Sequence, residues 1–106
     1  MKESEFQAKL IKEIKELFPG CIILKTDPGY LQGFPDLIIL YHDKWAVLEC
    51  KKERHAFRHP NQDYYIEILS KCSFASFVYP ENKEEVLNDL QRAFKLGGTA
   101  RVPRSE

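Results

Sequence analysis

The stretch GFPDLIILYHDKWAVLECKK, residues 33–52, decides the fold of this chain of 106 residues. Within it, residues 36–41 and residues 45–52 are rich in β-branched and aromatic side chains, and each run predicts a strand. Only residues 42–44 separate the two runs. So short a connection predicts an antiparallel hairpin.

The register of this hairpin decides which charged side chains meet. A two-residue loop places Tyr41 opposite Lys44, and counting back from that pair puts Asp36 opposite Glu49. Directly opposed residues have Cβ atoms about 5 Å apart. Because side chains alternate along a strand, Glu49 and Lys51 share a face at a spacing of about 6–7 Å. A different loop length or a bulge would shift this register.

The remaining sequence predicts three helices and two further strands around the hairpin. Apolar residues at three-to-four spacing indicate helices over residues 4–18 and 82–95, and a proline opens a third helix over residues 60–71. Residues 21–26 and 74–79 read as short strands. The predicted order is α-β-β-β-α-β-α, which is an α/β fold with α+β character.

Length and composition bound the class of protein. A chain of 106 residues fits one domain, and 43% hydrophobic with 30% charged residues is an ordinary globular balance. The chain has no apolar run of the roughly 20 residues that cross a bilayer, and its acidic N-terminus is unlike a secretory signal. These features predict a soluble cytoplasmic protein with no membrane partner. Net charge is zero, so only local clusters can indicate a nucleic acid partner.

The C-terminal end of the domain is expected near a pair of glycines. Gly97 and Gly98 are predicted to close the last helix. The single domain would then cover residues 1–96, and residues 97–106 would form a flexible tail.

The predicted carboxylate pair points to metal chemistry. Two carboxylates a few ångströms apart repel, and one holds a proton unless a cation lies between them. Hard divalent ions such as Mg²⁺ or Mn²⁺ prefer oxygen ligands, so we expect Asp36, Glu49 and the main-chain carbonyl of Cys50 to hold one. Such an ion activates water and polarises a phosphoryl oxygen, and Lys51 beside it can stabilise the transition state. The hairpin therefore predicts phosphodiester hydrolysis.

Polar residues around the hairpin are candidates for DNA contacts. The segment after Lys51 is locally basic, and the loop before Asp36 contains glycines that let a substrate backbone approach. The predicted DNA-binding residues are Lys25, Tyr30, Gln32, Lys52, Arg54 and Arg58. Without the carboxylates, this basic segment would be read as an ordinary solvated loop.

Neither the Pro35-Asp36 dipeptide nor the Glu49-x-Lys51 (ExK) spacing is specific when taken alone. Proline and aspartate both favour turns, and alternating charges commonly decorate an exposed strand. The combination at hairpin spacing is more specific. Glu49 also falls inside WAVLEC, where burial is expected, and an unpaired buried carboxylate is costly.

These motifs resemble those of a known superfamily. Pro35-Asp36 followed by Glu49-x-Lys51 resembles the PD-(D/E)xK nuclease signature, and Gln62-Asp-Tyr-Tyr65 resembles its VRR-NUC branch. Glu3-x-x-Phe6-Gln7 is similar to the first helix of that branch. The resemblance implies a restriction-endonuclease-like core, with a central mixed sheet flanked by helices.

The resemblance also assigns roles to individual residues. Asp36 and Glu49 would be metal ligands, Lys51 the catalytic lysine and Gln62 a residue that orients the site. It adds a helical acid to the metal site. Glu3 fits the spacing best, although Glu5 lies in the same turn.

The activity implied by the resemblance is that of a Mg²⁺- or Mn²⁺-dependent DNA endonuclease. Compact members are homodimers from bacteria and phages that select branched DNA such as Holliday junctions. Two other hypotheses stay open at this stage. One is a catalytically silent DNA-binding module on a nuclease-like fold, and the other is a small interaction protein in which the ExK pattern is coincidental.

Overall fold

The computed structural model describes the backbone of residues 1–101 and the side chains of residues 1–95. Over these residues the elements follow the predicted order, and the predicted fold class is confirmed. The elements are α1 (Glu3–Leu17), β1 (Ile22–Lys25), β2 (Leu37–Tyr41), β3 (Lys44–Cys50), α2 (Pro60–Ser70), β4 (Phe74–Val78) and α3 (Lys83–Arg101).

The four strands form one mixed sheet in the order β1-β2-β3-β4. β1, β2 and β3 are antiparallel neighbours, whereas β4 runs parallel to β3 and is reached through α2. Tyr41 pairs with Lys44 across a two-residue turn, as the sequence predicted. His42 in this turn has a φ of +57°, a left-handed conformation in which histidine is more common than most residues.

The main core lies between one face of the sheet and the helices α1 and α3. Phe6, Leu10 and Ile14 recur every four residues, so they form one stripe along α1 and are all buried. They pack with alternate residues of β2 and β3 and with four apolar residues of α3. Burial of each such side chain contributes about 1.5–3 kcal/mol. These contacts fix α1 along the sheet, from Glu3 near Asp36 to Phe18, whose ring centroid lies 5.2 Å from that of Tyr41.

The opposite face of the sheet is only half covered. α2 packs against β4 and β3 on this face, and none of its residues is fully buried. The part over β1 and β2 stays open, with Ile22, Leu24 and Leu40 exposed by 57%, 47% and 37%. The β1–β2 register pairs Ile22 with Leu40, so these side chains are neighbours. We call Ile22, Leu24 and Leu40 the open apolar face.

The last helix continues further than the sequence predicted. α3 runs through Gly97 and Gly98 to Arg101, so the predicted helix end at the two glycines is wrong. Each glycine weakens a helix by about 1 kcal/mol relative to alanine, but unlike proline it keeps its N–H donor and can continue the hydrogen-bond ladder. Residues 102–106 of the predicted tail lie outside the described residues.

Over residues 1–101, no helix combines the length and the apolar character that a bilayer crossing requires.

Candidate metal centre

Two carboxylates meet at the end of the β2–β3 hairpin. Asp36 directly precedes β2, and Glu49 is the next-to-last residue of β3. The main-chain N–H of Asp36 donates to Glu49 Oε1 at 3.2 Å, and the N–H of Cys50 donates to Asp36 Oδ2 at 2.9 Å. Each carboxylate is therefore held by the backbone of the neighbouring strand. Glu49 is only 3% exposed, whereas Asp36 is half-buried and keeps part of its surface open to solvent.

The electrostatics of this pair favour a shared proton when no cation is bound. Burial, and then the negative charge of Asp36, raise the pKa of Glu49 from its ordinary 4.5 to about 8. Burial also raises the pKa of Asp36, against the opposing effects of the Cys50 N–H and the Lys51 ammonium. One carboxyl thus stays protonated at neutral pH unless another positive charge arrives.

Lys51 lies beside the carboxylates with its amino group held on two sides. Lys51 Nζ is 3.9 Å from Glu49 Oε2, and it donates to the carbonyl of Phe57 and to Gln62 Oε1, both at 2.9 Å. The main-chain N–H of Lys51 extends the pairing of β3 with β4 by donating to the carbonyl of Val78 at 2.9 Å. The amine is therefore positioned by a strand at its base and by a loop and a helix at its tip.

Gln62, in the first turn of α2, connects the lysine to the carboxylates. Its Nε2 donates to Glu49 Oε2 at 2.9 Å, while its Oε1 accepts from Lys51 Nζ and from the N–H of His59 at 3.0 Å. The N–H donors on one side and the carboxylate on the other fix which way the amide faces. Gln62 therefore holds Glu49 and Lys51 at a constant separation.

Glu3, at the start of α1, faces the same pair from the other layer. Burial and the negative charge of Asp36 raise the pKa of Glu3, while Lys51 and Lys52 act to lower it. Glu5 instead accepts a hydrogen bond from the N–H of Lys2 at 3.1 Å, so it caps the helix. Between the two acids that the sequence left open, Glu3 is the one coupled to Asp36.

The site offers few side-chain ligands to a divalent ion. Among the described side chains, no group of three or more His, Cys, Asp or Glu residues is close enough to hold a metal. Mg²⁺ does not need such a cage, because it keeps several waters and binds through one or two carboxylates together with substrate phosphate. Asp36 and Glu49 can both ionise at neutral pH only when a further positive charge joins Lys51 beside them. The pair therefore fits a hard divalent ion.

Two predicted DNA contacts lie near the carboxylates. Lys25 ends β1 and is exposed, and the next residue, Thr26, donates its N–H to the carbonyl of Asp36 at 2.9 Å. Lys52 is exposed and close enough to lower the pKa of Glu3. Lys52 therefore lies near Glu3, and Lys25 lies one residue before the backbone contact between Thr26 and Asp36.

The other predicted contacts lie on the surrounding loops. Tyr30 is almost fully exposed, and the carbonyl of Gln32 accepts a long hydrogen bond from the Asn61 side chain. Arg54 lies 5.9 Å from the ring centre of Tyr79. The Arg58 side chain already contacts two other residues. Its guanidinium lies 4.2 Å from the ring centre of Phe77 and forms an ion pair with Asp63 at 3.2 Å.

The sequence did not identify the main-chain groups of the site. The Phe57 carbonyl and the Cys50 N–H contact Lys51 and Asp36, but no side-chain pattern encodes such contacts. One signal was available. His59 and Gln62 have the spacing of an N-cap and its third helical residue, which brings the Gln62 side chain back to the His59 N–H.

Glu49 makes the stability of the metal-free protein fall as pH rises. Its folded-state pKa lies above the ordinary value, so the folded protein keeps a proton that the unfolded chain releases. The resulting stabilisation is complete below pH 4.5 and is lost as the pH rises through about 8. Between pH 6 and pH 9 in chelator, we expect the melting temperature to fall by about 10 °C. The glutamine of Glu49→Gln cannot ionise, so this variant should lose most of the decrease in melting temperature. If its melting temperature falls with pH as steeply as that of the parent, another group is responsible.

The architecture matches that of a known domain. This chain is similar to a solved structure described as "VRR_NUC domain protein", with a TM-score of 0.65 and 22% sequence identity. The alignment covers 91% of this chain and 90% of the other chain. No family model and no curated protein matches the sequence. The structural match confirms the predicted nuclease-like fold.

Proposed function

We propose that this chain, which has the fold of a VRR_NUC domain, belongs to that family and is a metal-dependent DNA endonuclease. The observation that carries the proposal is the contact of the half-buried Asp36 with the buried Glu49, together with the Lys51 amine 3.9 Å from Glu49. A protein that needed this end of the sheet only for stability would gain from apolar side chains there, because buried charges cost more than they return. The pair is better explained by chemistry than by folding.

Asp36, Glu49 and the main-chain carbonyl of Cys50 are the proposed ligands, with Glu3 as a further acid. When bound there, Mg²⁺ or Mn²⁺ supplies a Lewis acid and a water of lowered pKa. The Lys51 ammonium meets the negative charge that develops on the scissile phosphate. Gln62 is a positioning residue that keeps this amine at a fixed distance from Glu49.

DNA approaches this site along exposed cations. The chain has no net charge, so attraction must come from local groups. Lys25 and Lys52 are the proposed phosphate contacts nearest to the cut, while Arg54 and Arg58 extend the path after β3. The substrate class we propose is branched DNA, including four-way junctions, in the cytoplasm of a bacterium or a phage-infected cell.

A cleavage panel tests the proposal. Single strands, duplex, flap and four-way junction DNA are incubated with the parent protein in Mg²⁺, in Mn²⁺ and in chelator, alongside Lys51→Ala. We expect cleavage in either metal with the fastest rate on branched substrates, none in chelator, and a large loss in Lys51→Ala. DNA binding without cleavage in either metal would instead identify a silent binding module. Cleavage that persists in chelator would rule out metal dependence.

The open apolar face supports a homodimer. An exposed contiguous apolar patch on a small protein commonly marks a protein interface. Ile22, Leu24 and Leu40 carry no charge and offer nothing to a phosphate, whereas the same face of a second copy is complementary to them. A two-fold dimer would present two metal centres to a four-way junction.

Leu24→Glu is expected to convert the dimer to a monomer, because it would bury an unpaired carboxylate in the interface. Sedimentation velocity on the parent and the variant measures this change. Leu17→Glu is the matched control, since Leu17 is exposed to a similar extent, at 40%, but lies on α1. A monomeric parent, or a Leu24→Glu variant that remains dimeric, would contradict this interface.

A further inference from the structure

A cavity of about 400 Å³ adjoins the metal centre. It lies between the loop that connects β1 to β2 and the start of α2. Its volume is within the range of small-ligand sites. The lining residues are Pro28, Gln32, Gly33, His59, Pro60, Asn61 and Gln62.

The wall of this cavity is closely packed. Gly33 has a φ of +88°, and a Cβ atom at this position would lie 2.3 Å from Asn61 Cβ, so the loop backbone sits directly against α2. Next to it, the rings of Phe34 and Tyr65 are in edge contact with centroids 5.4 Å apart. The loop is therefore anchored to α2 at two consecutive residues, Gly33 and Phe34.

The cavity is one side chain away from the carboxylates. Gln62 lines it and also donates to Glu49 Oε2 at 2.9 Å. A phosphate held at the metal centre would thus have its neighbouring nucleotide within reach of the cavity.

Phe57 places an exposed ring beside this cavity. Its carbonyl holds Lys51 Nζ, so the position of its backbone is fixed relative to the metal centre. Its ring is 72% exposed and meets the edge of the His59 ring at a centroid distance of 4.8 Å, and His59 lines the cavity. An apolar ring this exposed contributes little to folding where it stands.

The chemistry of the lining separates two possible occupants. A terminal phosphate would need cationic side chains, but the lining contains no lysine or arginine, and His59 is its only ionisable group. The amides of Gln32 and Asn61 supply donors and acceptors of the kind that recognise base edges. The prolines and the nearby Phe57 ring supply flat apolar surfaces on which a base can stack. The lining therefore suits a nucleobase.

We propose that this cavity receives an unpaired nucleobase from the nucleotide next to the scissile phosphate, with the Phe57 ring stacking against it. The inference rests on the proposed endonuclease function and specifies its substrate. A base inside a duplex is held in its stack and cannot enter a recessed pocket without being extruded. The enzyme then selects DNA with an unpaired base beside the cut, as occurs at flaps, bubbles and imperfect branch points.

Matched substrates test this inference directly. Two DNAs carry the same unpaired nucleotide beside the cleavage site, one with its base and one as an abasic residue. We expect the parent to cut the base-containing DNA about tenfold more efficiently, as measured by kcat/KM. In a second readout, 2-aminopurine replaces that base, and Ca²⁺ takes the place of Mg²⁺ to allow binding without rapid cutting. Its fluorescence should be quenched on binding as the base stacks.

Phe57→Ala and Asn61→Ala are the informative variants. Asn61→Ala keeps the Cβ that packs on Gly33, so the cavity wall survives while its amide is lost. Both variants should lose most of the preference for the base and most of the quenching. Tyr64→Ala is the control, because Tyr64 is an exposed aromatic residue of the same helix, at 56%, but does not line the cavity.

The outcomes distinguish the inference from the function it rests on. Equal cleavage of the base-containing and abasic DNAs by an active parent overturns the base pocket and leaves the endonuclease intact. Full discrimination in both variants also overturns it. A parent that cuts neither DNA in Mg²⁺ or Mn²⁺ overturns the proposed function itself.

Discussion

Asp36→Asn is expected to reduce metal-dependent cleavage by about 1,000-fold or more while making the metal-free protein more stable. Asparagine keeps an oxygen that can accept the Cys50 N–H, so the local geometry is retained. It removes the negative charge that helps raise the pKa of Glu49. The site loses the proposed ligand Asp36, and the folded protein loses the repulsion between Asp36 and Glu49. Rates on a preferred substrate and thermal melts in chelator measure the two effects.

The combination of lost activity and gained stability is diagnostic of a functional carboxylate. A structural carboxylate would show the reverse, since its loss would lower the melting temperature. Asp89→Asn on α3 is the control, because Asp89 pairs with Arg92 away from the metal centre. It should change neither quantity by much. An Asp36→Asn variant that cleaves at the parent rate would remove Asp36 from the mechanism.

Gly33→Ala is expected to cost about 3 kcal/mol of the free energy of unfolding, a large share for a domain of this size. Two penalties add. A non-glycine residue at a φ of +88° is strained by about 1 kcal/mol or more, and the new Cβ would lie 2.3 Å from Asn61 Cβ, an overpacking that typically costs 1–3 kcal/mol. Urea denaturation with an unchanged m value measures the loss.

The chain offers a matched control for this substitution. Gly20 has a nearly identical φ of +89°, but a Cβ there would meet nothing within 4 Å. Gly20→Ala therefore carries the conformational penalty alone, and the difference between the variants isolates the contact of Gly33 with α2. Because α2 also carries Gln62, Gly33→Ala should lower cleavage as well. Equal losses of stability in the two variants would show that this contact contributes little.

The centre of the fold could be predicted because its register follows from a short loop. Two residues between β2 and β3 leave one pairing for the strands, and that pairing brings Asp36 to Glu49. The helix end at Gly97 could not be predicted the same way. Glycine permits a helix to stop without forcing it to, so the outcome depends on more than the local sequence.

The environment of Lys51 was beyond the reach of a sequence pattern. Its tip is held by a main-chain carbonyl in an irregular loop, and such a loop has no periodicity to read. The same loop turns Arg58 towards Phe77 and Asp63, although its sequence reads as a freely solvated basic segment. Tyr64 on α2 is 56% exposed, because α2 covers only part of the sheet.

The hairpin has a consequence for the order in which the protein assembles. Asp36, Glu49 and Lys51 all belong to one hairpin with its turn of two residues, and hairpins form in about 1–10 μs. Contacts between residues close in the chain require little loop closure, so they form early, whereas Glu3 and Gln62 must wait for the helices to dock. The folding chain therefore brings Asp36 and Glu49 together before Glu3 and Gln62 contact them. Because Asp36 and Glu49 are the proposed metal ligands, we expect a divalent ion present during refolding to bind that hairpin before the helices dock.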